Sequence, residues 1–101
     1  MPNANIPRRI TTQPEFLSLL DRMVADTAPR LFAIAQQYGT TFDGEIIAWG
    51  LKFRGRRPRC EIVSPHYPLR MSLEKPETAL HLLSLNPDFT PHLIWHTPHR
   101  R

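Results

Sequence analysis

Two spacings of apolar residues alternate along the chain. From Phe16 onward, Leu20, Met23, Leu31, Ile34 and Tyr38 recur at steps of three to four residues or twice that, the stripe of a core-facing helix. Leu19, Val24 and Ala35 widen this stripe. Thr12 and Glu15 form the S/T-x-x-E pattern that caps a helix start, so the helix is expected to begin there. Pro29 lacks an amide donor and its ring clashes with the carbonyl one turn back. Because the apolar phase survives across it, the spacing predicts a kinked helix in two pieces, 13–27 and 29–38, closed by a left-handed cap at Gly39.

After a turn over 40–44, with Asp43-Gly44 at its tip, the spacing changes to two. In EIIAWGLKF, residues 45–53, Ile47, Trp49, Leu51 and Phe53 alternate with Ile46, Ala48, Gly50 and Lys52. The bulky set reads as the buried side, each side chain contributing roughly 1.5–3 kcal/mol on burial. Removal of Trp49 is accordingly expected to cost roughly 3–5 kcal/mol. RGRRP joins this strand to RCEIVSP as a hairpin. Leu69, Met71 and Leu73 then alternate as a further strand. Pro76 and Glu77 suit the first turn of a second helix that carries Ala79, Leu80, Leu82 and Leu83 and ends near Leu85. His92 to His96 reads as an edge strand with Leu93 and Trp95 on one face. The order predicts an α+β domain: a mainly antiparallel sheet of three or four strands, with the kinked N-terminal helix and the second helix packed on one face.

At 101 residues the chain is expected to form one domain, with an N-terminal arm over 1–11 and a C-terminal tail over 97–101 expected to be mobile. No apolar run reaches the ~18 residues that span a bilayer, and the N-terminus has no signal-peptide core, so a cytoplasmic location is expected. The single cysteine, Cys60, reads as a small strand residue.

Residues 19–39, 45–53 and 69–80 (LLDRMVADTAPRLFAIAQQYG, EIIAWGLKF and LRMSLEKPETAL) resemble small uncharacterised proteins, about 100 residues long, of high-GC Gram-positive bacteria. The resemblance covers roughly 12–85. It implies a stand-alone bacterial domain and carries no activity, cofactor or site residue.

Charge adds direction. The net charge is +4, and between Lys52 and Arg59 there is no acid. Lys52, Arg54, Arg56, Arg57 and Arg59 are therefore the candidate contact residues, because guanidinium groups bind phosphates and carboxylates in a bidentate manner. Catalytic chemistry has no such focus: GxSxG, HExxH, GxGxxG and a phosphate-cradling glycine loop are all missing from the chain. His92, His96 and His99 invite a metal, but in a strand the first two lie ~13 Å apart, too far for one ion. Neither metal nor cofactor is expected. The reading that results is a non-enzymatic interaction or regulatory module with a protein partner, or a homodimer built on an exposed sheet face or edge. The small side carrying Ile46, Ala48 and Gly50 is the expected contact face. The alternative is nucleic-acid binding through the arginine-rich hairpin loop, 54–59, in which about four phosphate contacts would give a salt slope of ~−3.6.

Overall fold

A computed structural model of the protein describes residues 12–40 and 42–97. The elements are α1 (Gln13–Thr27), β1 (Arg30–Tyr38), β2 (Asp43–Phe53), β3 (Arg59–Val63), β4 (Arg70–Leu73), α2 (Pro76–Ser84) and β5 (Pro91–Trp95). This is an α+β architecture with five strands rather than three or four. Every pairing is antiparallel and the strand order is β4-β3-β2-β1-β5. The expected arm, 1–11, and the tail beyond Thr97 lie outside the described residues.

The additional strand is β1, and it replaces the second piece of the expected kinked helix. Pro29 ends the helix rather than bending it, because the residue before a proline is driven out of the helical region. Ala28 accordingly adopts φ −59° and ψ 132°. Leu31, Phe32 and Ile34 fit a strand as well as a helix, and pairing to β2 on one side and β5 on the other selects the strand. Gly39 is left-handed as expected, with φ 62°, but in the β1–β2 turn instead of at a helix end. Asp43 and Gly44 belong to β2, paired with Tyr38 and Gln37. At the start of α1, the Thr12 hydroxyl accepts a hydrogen bond from the Glu15 amide at 3.3 Å.

The pairing sorts every strand residue onto one of two faces. Trp95, Phe32, Gly50, Ile62 and Met71 form one row across all five strands. Leu93, Ile34 and Ala48 lie beside it, as do Cys60 and Leu73. This is the face that α2 covers, with Ala79 buried against it and Leu80 and Leu83 at its margin. Phe32 is wholly buried; its ring lies over Gly50 and meets Trp95 edge to face at 5.2 Å. A methyl group on Gly50 would overlap that ring.

The covered face of β2 is therefore the small one, and the expected burial of Trp49, Leu51 and Phe53 is corrected. Trp49 is 43% exposed, and Leu51 is exposed as well. Ile47 alone of the bulky set enters the core. It does so because a β-bulge shifts the register, pairing Ile34 with Ala48 but Ala35 with Ile46 and leaving Ile47 as the extra residue. Small residues inside are what the covered face requires, since Phe32 from the neighbouring strand fills the space above Gly50.

Gln36, 1% exposed, is the polar exception within this core. Its amide donates to the carbonyls of Gln37 and Asp88 and its carbonyl accepts from the Thr90 amide, all at 3.1–3.2 Å. The side chain thereby ties the loop after α2 to β1, a structural role that satisfies all its buried atoms. Ser64 acts similarly in the β3–β4 connection, its hydroxyl accepting the His66 and Tyr67 amides at 3.2 Å each.

Candidate interaction surface

Neither helix covers the other face of the sheet. There the pairing aligns Ile94, Ala33, Trp49, Val63 and Arg70 in a row across the five strands. Leu31 and Leu51 form a second row with Glu61 and Ser72, and Ile46 and Ala35 lie on the other side of Trp49. Ile94 is 52% exposed and Val63 45%, so the surface is apolar and open to water. Burial of this face is left to something other than α2, because the chain runs from β4 through α2 to β5 over one side only.

Trp49 stands as a ridge between two shallow grooves. One, of about 340 Å³, is bounded by Ala33, Ile46, Ile94 and the β5 end at Trp95–Thr97. The second, of about 530 Å³, runs along Leu31, Leu51, Phe53 and Val63 and is edged by Arg59, Glu61 and Arg70. A bulky aromatic between apolar grooves has the form of a protein-contact hot spot. The polar edge is already organised: Arg59 Nε donates to Glu61 at 3.2 Å, and Ser72 donates its hydroxyl to the same carboxylate. Both bonds hold the Glu61 carboxyl below its ordinary pKa, Ser72 contributing more than Arg59.

The five cationic residues singled out from the sequence do not form one site. Lys52 lies on the covered side of β2 opposite Cys60 and donates to the Glu74 carbonyl at 3.1 Å. Arg59 lies on the open side, bound to Glu61, with its guanidinium 5.3 Å from the centre of the Phe53 ring. Arg54, Arg56 and Arg57 are exposed at the hairpin tip, and among the described residues no carboxylate pairs with them. Strand parity explains the division: residues at opposite ends of a hairpin point to different faces according to their register, whatever their closeness in sequence.

The expected contact face is corrected too. Ala48 and Gly50 are sealed beneath α2, and the bulge turns Ile46 to the open side beside Trp49. The signal for the open face was present in the chain as the Trp49, Leu51, Phe53 alternation, but an apolar strand side is the same pattern whether it faces a core or a partner.

The remaining candidate groups have local explanations. Cys60 is buried, and burial raises its thiol pKa, the opposite of what a reactive thiolate requires. His92 lies on the open side and its Nε2 bonds the Gln37 side-chain oxygen at 2.8 Å. Among the described residues no group of three His, Cys, Asp or Glu side chains is placed to hold a metal, and no buried side-chain polar atom lacks a hydrogen-bond partner. No helix among them is long and apolar enough to cross a membrane.

Comparison of the chain with protein-family models, curated proteins and solved structures finds no match. The open face therefore carries the functional argument by its own chemistry.

Proposed function

We propose that the protein is a non-enzymatic interaction module, acting in the cytoplasm, whose working surface is the open face of the sheet around Trp49. One observation carries this reading: the row Ile94, Ala33, Trp49 and Val63 is apolar, spans four adjacent strands and is covered by neither helix. Exposed apolar area of this kind on a sheet favours association, because water is released from both surfaces when they meet. The test is photo-crosslinking from a benzoyl-phenylalanine placed at Leu51 on the open face, compared with one at the exposed Leu82 of α2. Protein adducts formed from Leu51 and not from Leu82 support the reading. Equal labelling, or no protein adduct from Leu51, overturns it.

A second reading is favoured by a separate observation, the three exposed guanidinium groups of Arg54, Arg56 and Arg57 at one hairpin tip without carboxylate partners among the described residues. Such a tip fits a nucleic-acid backbone. With Arg59 engaged elsewhere, three phosphate contacts would give a salt slope of ~−2.7 for duplex binding, and alanine at all three positions would remove it. Absence of binding at low salt, or equal binding by the triple variant, overturns this reading.

A further inference from the structure

The open face has a counterpart in the same chain. α1 buries none of its residues, and Leu17, Leu20, Met23 and Val24 are all exposed along it. Among the described residues, two apolar surfaces, one on a helix and one on a sheet, are thus without cover. Resting on the reading of the open face as a protein-contact surface, we propose that its occupant is α1 of a second copy of this chain, exchanged reciprocally to form a two-fold dimer.

The dimensions agree. A helix of 15 residues is ~22 Å long at about 1.5 Å per residue. The four strands from β3 to β5 are ~14 Å across at about 4.8 Å per strand, and β1 with nine residues is ~30 Å long. One helix laid along the face would fill the grooves on either side of Trp49. The signs agree as well. α1 carries Glu15, Asp21 and Asp26 against Arg22 alone, whereas the margin of the face carries Arg59 and Arg70 against Glu61.

The connection favours a partner's helix over the chain's own. Only Ala28 and Pro29 separate α1 from β1, and Pro29 keeps Ala28 extended. The three Cα–Cα steps from Thr27 to Arg30 reach ~11 Å at most. Packed layers lie ~10 Å apart, so folding α1 back over the chain's own sheet would take nearly all of that reach and leave little for the reversal of direction. The described chain is accordingly elongated, 60 × 34 × 21 Å, with a radius of gyration of 18.8 Å where a packed domain of this length has ~13 Å. Exchange needs no rearrangement of the connection, and an extended arm joined by a short tie is the geometry from which reciprocal swapping arises.

The experiment is light scattering of the full chain with disulfide mapping in a Cys60→Ser background. A dimer is expected, weakened at least about 30-fold by Leu20→Asp with Met23→Asp, which alters only unburied α1 side chains and so leaves the sheet folded. Mixing a Leu20→Cys chain with an Ile94→Cys chain should yield a disulfide between the two. A monomer at ~100 μM that forms the same disulfide only when both cysteines are on one chain overturns the exchange, and shows α1 closing its own face. A dimer insensitive to the α1 substitutions but lost with Trp49→Asp overturns the exchange while leaving the open face as a contact surface. A monomer without the disulfide, whose Leu51 crosslinks to a different protein, likewise overturns the exchange alone. If no protein reaches Leu51 at all, both readings fall.

Discussion

The two faces of the sheet are built from the same strands and solve opposite problems. On the covered side, large and small residues interlock: Phe32 lies over Gly50, Ala79 lets α2 approach, and Gln36 fastens the next loop with three hydrogen bonds. On the open side, bulky residues stand side by side, with Trp49 between grooves that none of the described residues fills. Bulk in a strand is thus a poor sign of burial. A core rewards complementary volumes, and a contact surface rewards side chains that protrude.

The comparison breaks first at Phe32. Phe32→Ala should destabilise by about 3–5 kcal/mol, since the ring is fully buried and its removal leaves a cavity over Gly50. Urea denaturation measures this, and a loss below ~1 kcal/mol would mean that α2 does not seal that face. The reverse substitution probes the same contact from below. Gly50→Ala forces the Phe32 ring to move and should cost about 1–3 kcal/mol by overpacking. Its neighbour makes the control: Trp49→Ala, one residue away and on the other face, should cost only about 1 kcal/mol in dilute monomer, because the side chain is already partly solvated. Were Trp49→Ala the more damaging of the two, the assignment of faces would be inverted.

Surface charge should matter least. Arg54, Arg56 and Arg57 replaced together by alanine should leave the unfolding free energy from urea denaturation within about 0.5 kcal/mol of the parent, whatever becomes of binding. Two titrations sharpen the picture at the sheet's polar edges. Glu61 is held below its ordinary pKa, so its contribution to stability is present above the unfolded carboxylate value and fades as pH falls through the folded one; Ser72→Ala should shift that loss to higher pH. Tyr38 is pushed up to about 12, first by its hydrogen bond to Glu45. Its contribution is complete below the unfolded value of about 10 and is lost as pH rises from there towards 12. In a Tyr67→Phe background, ultraviolet titration of Glu45→Gln should bring the Tyr38 transition back towards about 10.

The candidate site was legible only in part. Arg54, Arg56 and Arg57 could be read as an exposed loop because Gly55 and Pro58 break the strand pattern around them. Lys52 and Arg59 could not be separated from them, since their faces depend on the register between β2 and β3. The open face itself was visible as an apolar alternation, but with the opposite meaning.

What the chain determined by itself is local. Thr12 and Glu15 start α1, Pro29 ends it by excluding Ala28 from the helical region, the loop at Gly55 joins β2 to β3, and Pro76 opens α2; each follows from hydrogen bonds or steric limits within a few residues. What only the tertiary structure decided is which pattern was real where two fitted. Residues 30–38 satisfy both a helical stripe and a strand alternation, and the hydrogen bonds offered by β2 and β5 made them β1. The side of β2 that is buried was decided in the same way. Both of its sides are apolar, so burial fell to the one on which Phe32 could occupy the space above a glycine, and Trp49 was left facing out.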